Sequence, residues 1–351
     1  MVFSAGNSMQ IFKNKPWLAP LAGYSDLPFR LLCREYGCQT ACTEMISAKG
    51  LVFESPGTKR LLATGPADTP LVVQLFGSEA AYCEQAMKIL LARGFAYFDL
   101  NAGCPVRKVV KTGAGAALLR DPDRLVRLAG VMVDLAGIGR VGVKLRSGWD
   151  AASRLQAEVF QELERIGIGW IAVHPRTARQ GFSGQADWSF IRAVQNTVAI
   201  PVLAGGDLFT AEDGVRCLEQ TGAAGVMFAR GALNNPMIFS RFRELMDGKA
   251  VPSRQAQWQP TDFKTMIFRH MHYCREGQDA GKSLLKMRTI IPRYLKGFPG
   301  AKDLRRLIVQ AGSWEELEAL IGRIGLGNER RGKGEGEGGK GNKKRETRNG
   351  Q

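Results

Sequence analysis

Cys104 lies in Asp99-Leu100-Asn101-Ala102-Gly103-Cys104-Pro105, just past an apolar run, on a turn fixed by Gly103 and Pro105. A thiol held there can face a bound substrate and deliver a proton to it. Other apolar runs end in Gln74, Asn101, Lys144 and His174, and the remaining ones in Ala22-Gly23, Glu44-Met45, Gly205-Gly206-Asp207 and Arg230. Singly, each polar end reads as an ordinary buried group with a structural partner. Several on one face are harder to satisfy internally, because an unpaired buried polar group costs roughly 1–3 kcal/mol; together they argue for a pocket. Gly205 and Gly206 permit close backbone approach and Arg230 can add a charge-assisted contact, which is the chemistry of a phosphate site. The six other cysteines read as small buried hydrophobes. Cys33-x4-Cys38-x3-Cys42 fits no short-loop zinc or iron–sulfur spacing, so no metal is expected.

These ends need elements that aim them the same way. Short runs rich in Val, Ile, Leu and Ala at 17–22, 41–46, 71–75, 97–100, 140–145, 170–174, 201–203 and 226–229 read as eight buried strands. Amphipathic stretches such as 79–93, 123–135, 153–166 and 211–220 lie between them, closed by Gly94, Gly137, Gly167 and Gly222. Eight βα units match a TIM barrel, whose chemistry sits at the C-terminal strand ends and whose phosphate sites follow the last two strands. An open doubly wound sheet is the alternative, but it needs fewer strands, and no G-x-G-x-x-G follows the first one. After Ala229 the pattern turns helical: 263–274 capped by Thr261 or Asp262, a basic helix at 284–295 despite Pro292, 303–310, and a last helix from Ser313 to about 321. Residues 328–351 hold no hydrophobic side chain and are expected to be disordered.

The fold class expected is therefore α/β: a lead-in at 1–16, a TIM barrel at 17–240, a small all-α domain at 241–327 and a basic tail at 328–351. The chain has 351 residues, 44% hydrophobic and 23% charged, with no apolar run near the roughly 18 residues of a membrane span. No secretory signal opens it, so a cytoplasmic, monomeric protein with reduced thiols is expected. Its net charge of +16 is uneven: +5 over 1–240, +7 over 241–327 and +4 in the tail. Such a field attracts polyanions.

Several segments together resemble the tRNA-dihydrouridine synthases: Leu18-Ala19-Pro20-Leu21-Ala22-Gly23-Tyr24-Ser25-Asp26, the Asp99–Pro105 run with Lys108-Val109 and 115–119, Val143-Lys144-Leu145-Arg146, His174-Pro175-Arg176-Thr177, and Ala204-Gly205-Gly206-Asp207. The resemblance runs in order from about 17 to 239 and continues more weakly through Arg288-x4-Arg293-Tyr294-Leu295-Lys296-Gly297. It implies an FMN-bearing barrel with a helical tRNA-binding domain, reducing C5=C6 of selected uridines, with NADPH (or NADH) restoring the flavin. Pro20, Leu21 and Ala22 would line the flavin ring; Gln74, Lys144 and His174 would contact the ring or its ribityl chain; Gly205, Gly206, Asp207, Ala229 and Arg230 would hold the phosphate end. Cys104 would be the proton donor, with Asn101 and Arg176 on the substrate side and Lys286, Arg288, Arg293 and Lys296 toward tRNA. The chain departs from the common pattern at Leu21 (Met), Gly205 (Asn), Ala229 (Gly) and Phe182 (Tyr). Two other readings share these features: a flavin-barrel reductase of a small molecule, and an inert RNA-binding relative.

Overall fold

The computed structural model describes residues 15–249, 259–276, 280–298 and 301–324. Nearly all of the expected lead-in and the whole of the expected tail lie outside them. The described residues form nine parallel strands: β1 (Pro16–Leu18), β2 (Thr40–Cys42), β3 (Ile46–Ser47), β4 (Leu71–Phe76), β5 (Tyr97–Ala102), β6 (Val141–Arg146), β7 (Trp170–His174), β8 (Val202–Ala204) and β9 (Gly225–Phe228). Because β1 pairs with both β2 and β9, and β2 also pairs with β4, the sheet closes on itself. The result is an eight-stranded α/β barrel, with β3 as the continuation of β2.

The break between β2 and β3 has a simple cause. Ala41 and Cys42 align with Leu71 and Val72, whereas Ile46 and Ser47 align with Leu75 and Phe76, so this strand carries one residue more than its neighbour. That is a β-bulge, a device that redirects side chains. Thr43 stays in the ladder, donating from its N–H to Val72 O (2.9 Å) and accepting from Gln74 N at its Oγ1 (3.1 Å), while Met45 is aimed into the barrel mouth. The first strand is shorter than its apolar run predicts. Ala19 N still reaches Phe228 O (2.9 Å), after which Tyr24 and Ser25 turn back onto Leu21 O and the chain leaves the sheet.

Alternate residues fill the barrel. Trp17, Ala19, Cys42, Val72, Trp170, Ala172, Leu203 and Met227 form an interior cluster separate from the larger core between strands and helices, as the two-residue period of a strand requires. Trp17 and Trp170 pack at 5.6 Å between ring centroids. Room for Trp170 comes from Gly142, where a Cβ would lie 1.9 Å from the indole Cε2. The helix Ile238–Met246 spans the expected boundary at 240 and packs on the barrel, Phe239 and Phe242 meeting Phe228 edge-on at 5.7 and 5.5 Å.

The C-terminal helices are Pro260–Arg275, Ala280–Tyr294, Ala301–Gln310 and Trp314–Gly322. The first three begin earlier than the periodicity predicts. Gln259 rather than Thr261 or Asp262 caps the first, and Asp262 is its capping-box partner. Ser313 caps the last, accepting from Glu316 N (3.2 Å). This layer docks on the first barrel helix, Leu27–Glu35: Arg269 and Tyr273 bind Glu35, and Phe29 packs on the buried His270. Among the described residues no helix is long and apolar enough to cross a membrane.

Candidate active site

A cavity of about 280 Å³ opens at the C-terminal end of the strands. Its floor is apolar, made by Ala172, Leu203 and Met227, and Pro20, Leu21 and Ala22 form one wall. Cys104 stands at its edge with Pro105 and Val106. Of the seven cysteines it alone is not buried; burial pushes the Cys38, Cys217 and Cys274 thiols up to about 12. Those cysteines stay protonated and unreactive at neutral pH, leaving Cys104 as the thiol able to meet a ligand.

The turn carrying Cys104 is held from below. Asn101 Oδ1 accepts from the backbone N–H of Gly103 (3.2 Å) and of Cys104 (3.0 Å), while its Nδ2 donates to Gln74 Oε1 (2.8 Å) and to Met45 Sδ (3.0 Å). Gln74 Nε2 in turn donates to Asp99 Oδ2 (2.7 Å), and Trp170 Nε1 donates to Asp99 Oδ1 (3.2 Å). From the other side, Arg146 Nε donates to Gly103 O (2.8 Å) and Ala116 N to Cys104 O (3.0 Å). Asn101 lines the cavity, but both ends of its amide are taken up inside the protein. Gln74 is fully buried, is not among the lining residues, and is hydrogen-bonded to the lining through Asn101.

Positive charge crowds this end of the barrel. Lys144, Arg146 and Arg230 face the cavity, and the Lys144 ammonium makes no hydrogen bond to a described residue. Burial lowers the Lys144 pKa, Arg146 lowers it further, and Asp99 partly restores it. Burial likewise brings Arg146 down to about 10 and pushes Asp99 up to about 6. His174 is driven down to about 2 by burial and the surrounding Lys144, Arg146, Arg176 and Arg230, so it is a neutral imidazole at physiological pH. An electron-rich or anionic ligand suits such a site.

At the far end, Gly205 N–H stays in the sheet, donating to Val173 O (2.9 Å), whereas Gly206 takes φ +92. A Cβ at Gly206 would lie 2.9 Å from Pro175 Cδ and 3.0 Å from His174 Cδ2. Ala229 and Arg230 begin the short helix Arg230–Asn234, and Arg230 lies between the exposed rings of Phe182 (4.7 Å) and Phe209 (4.8 Å). Asp207 has the left-handed φ of +55 and is gripped by Arg176 (2.9 and 2.7 Å), Arg230 (3.1 Å) and Ala186 N (2.8 Å). Arg176 is only 2% exposed and also donates to Ser183 O and Gly184 O, so it lies behind the cavity rather than in it.

The basic helix divides. Lys286 pairs with Asp26 (2.5 Å), and Arg293 donates to Tyr24 OH (2.9 Å) and stacks on its ring, both clamping the loop after β1. Arg288 turns the other way, to Val309 O (2.6 Å), and Lys296 is exposed. Sequence reasoning missed Arg146 and Phe209 as lining residues. Arg146 was legible two positions beyond Lys144 on the same strand face; nothing in the pattern marked Phe209.

A family model described as dihydrouridine synthase (Dus) matches residues 17–322, spanning both the barrel and the helical layer. The chain belongs to the dihydrouridine synthase family. A probable tRNA-dihydrouridine synthase of Treponema pallidum is 34% identical over 88% of this chain and 92% of its own length. One from Rhodobacter capsulatus is 38% identical over 70% and 76%, and tRNA-dihydrouridine synthase B of Vibrio vulnificus is 32% identical over 88% and 95%. Among solved structures, the old yellow enzyme homologue of Zymomonas mobilis is 12% identical, with a TM-score of 0.46 over 68% of this chain and 90% of that one. The site's donor set fits a flavin in a dihydrouridine synthase: an apolar floor for a planar ring, the Lys144 ammonium without a hydrogen-bonding partner among the described residues, and a tight Gly206 turn beside Arg230.

Proposed function

We propose that the protein reduces the C5=C6 bond of selected uridines in tRNA to 5,6-dihydrouridine, with FMN as its bound cofactor and NADPH (or NADH) as reductant. The observation that carries this reading is the position of Cys104: the one thiol of seven that reaches a cavity, within a family match extending over the helical layer as well as the barrel. Pro20 to Ala22, Lys144 and His174 would hold the ring of the cofactor, and Gly206 and Arg230 its phosphate. When bound, the flavin supplies the hydride for uracil C6.

The chain's own residues do the rest. Cys104 Sγ carries the proton destined for C5, a general-acid role suited to a thiol on a fixed turn. Lys144 and Arg146, themselves withdrawn from water, supply fixed positive charge where it is worth most. His174, kept neutral, offers a hydrogen bond without adding another cation. A uridine can reach this depth only by leaving its stack, at a cost of a few kcal/mol that contacts elsewhere on the RNA must offset. Lys296, Lys302, Arg305 and Arg306 are exposed and supply phosphate contacts read by shape rather than sequence.

The test is to map dihydrouridine in tRNA from cells with and without the protein, and to incubate purified yellow protein with unmodified tRNA and NADPH. Loss of specific dihydrouridines and their restoration in vitro are expected. A flavoprotein that reduces small enones but leaves tRNA untouched would instead mark a small-molecule reductase, and a colourless protein that binds tRNA an inert relative.

A further inference from the structure

The geometry points to Asp99 as a positioning residue that acts on Cys104 through Gln74 and Asn101. This rests on the role proposed for Cys104 above. The argument is one of hydrogen-bond direction. Two backbone N–H groups, of Gly103 and Cys104, can only donate, so the oxygen of Asn101 must face them and its NH2 must face Gln74. Gln74 therefore presents its oxygen to Asn101 and its NH2 to residue 99. Trp170 Nε1 arrives at residue 99 as a donor too. The chain of donors can end only on a group that accepts twice and donates nothing, and among side chains of this size that is the ionised carboxylate. Asp99 is 1% exposed, Gln74 fully buried and Asn101 5% exposed, so water cannot substitute for a missing partner. A fully satisfied buried network of this kind fixes geometry, and a partly satisfied one loosens it.

The charge of Asp99 has a second output. Lys144 on the neighbouring strand β6 and Cys42 on β2 lie close to Asp99 inside the barrel, and Asp99 is the acidic group whose field partly offsets the lowering of the Lys144 pKa by burial. The orientation role and the charge role are separable. In Asp99→Asn one oxygen must serve both Trp170 and Gln74, and the chain has one donor too many. In Asp99→Asn/Trp170→Phe the competing indole donor is gone, so the amide oxygen introduced at position 99 is released to Gln74 while the negative charge stays absent. In Asp99→Asn/Gln74→Glu the amide at position 99 donates to the carboxylate at position 74. That carboxylate still accepts from Asn101, and both the hydrogen bonds and the charge return.

The experiment is amide hydrogen exchange on the holoenzyme, read over the segment 101–106, beside kcat and KM for tRNA. Asp99→Asn is expected to speed exchange in this segment by about tenfold, the scale of one lost buried hydrogen bond, with kcat falling and KM unchanged. Trp170→Phe added to it is expected to restore protection without restoring full kcat, and Gln74→Glu added to it to restore both. Iodoacetamide labelling checks the fold: the six buried cysteines must stay unlabelled. If Asp99→Asn fails to fold, Gln74→Leu cuts the same chain and is expected to expose the same segment. Unchanged exchange at 101–106 in these variants, or a double variant worse than Asp99→Asn alone, overturns the proposal. The exchange readout needs no substrate, so a wild-type protein that leaves tRNA untouched would refute the function and leave the positioning role standing.

Discussion

Arg176→Ala separates a structural role for this arginine from a substrate-binding one. The guanidinium is almost wholly buried and makes a two-bond grip on Asp207 (2.9 and 2.7 Å), with further bonds to Ser183 O (3.0 Å) and Gly184 O (2.5 Å). Breaking a buried ion pair by deleting one partner costs about 3–5 kcal/mol. Arg230 and Ala186 N–H remain on Asp207 and put the loss at the low end, about 3 kcal/mol. At about 2–4 °C per kcal/mol this is a fall in Tm of roughly 6–12 °C. A pH effect accompanies it. Burial pushes the Asp207 carboxyl up, but the hydrogen bonds and charge of Arg176, with Ala186 N–H and Arg230, more than offset that and hold it below its ordinary value. Such a group stabilises the fold fully above its unfolded pKa, and the stabilisation is lost as pH falls through the folded one. Arg176→Ala removes most of that contribution, so its cost is greatest at neutral pH and narrows as pH falls below about 4, where the wild type loses the same stabilisation. Urea and thermal unfolding at about pH 7 and about pH 3 measure both effects. A variant with wild-type Tm and only a raised KM for tRNA would show that Arg176 touches the substrate and that this reasoning is wrong.

Four further outcomes are expected. Cys104→Ala lowers kcat on tRNA by about a hundredfold or more, the scale of a lost general acid, and leaves flavin content and KM unchanged; full turnover without the thiol would remove Cys104 from the mechanism. Gly206→Ala meets Pro175 and His174 at φ +92 and reduces flavin per protein, read from absorbance after dialysis; wild-type flavin content would separate this turn from the cofactor. Burial holds His174 at about 2 and His270 at about 3, below the unfolded value of about 6.5, so their neutral burial stabilises fully above that pH and each loses up to about 1.4 kcal/mol per unit below it. Asp99, raised to about 6, opposes part of that loss, and urea midpoints from pH 7 to 5 should still fall; a flat series would contradict the two histidine assignments. Replacing Lys296, Lys302, Arg305 and Arg306 by Gln should flatten the salt dependence of tRNA affinity by about three units in the log–log slope, and an unchanged slope would place the RNA elsewhere.

The barrel was legible because its evidence is local. Short apolar runs alternating with amphipathic stretches mark all eight strands, and glycines close the helices between them; Gly222, at φ +70, is such a cap. The polar strand ends were legible for the same reason, and the cavity gathers Cys104, Lys144, His174 and Arg230 as their spacing implied. The bulge at Thr43–Met45 was not, since an extra residue shows only against the neighbouring strand. Nor were the pairings of Gln74 with Asp99, of Arg176 with Asp207, and of Lys286 and Arg293 with Tyr24, each 25 or more positions apart in sequence. A buried polar residue at a strand end looks the same in sequence whether its partner is a ligand or another side chain.

That ambiguity changes what the positive charge of the helical layer does. Lys286 and Arg293 are not a free electrostatic surface: they hold Asp26 and Tyr24, in the same loop whose Pro20, Leu21 and Ala22 form a wall of the cavity. Gly23 in that loop also donates to Glu44, which immediately precedes the cavity-lining Met45. Met45 accepts from Asn101, and Asn101 holds the Cys104 turn. The helix Ala280–Tyr294 thus joins the cysteine turn through an unbroken series of contacts. Other exposed cations, among them Lys296 and those of Ala301–Gln310, lie beyond it on the same layer. Under the function proposed above, one helical layer would have two roles: its outer cations would attract the tRNA, and its inner ones would brace the wall against which the extruded base would fit. Deleting the layer would weaken RNA binding and also loosen the cavity, which is why a barrel cut free of it is not a fair measure of the chemistry.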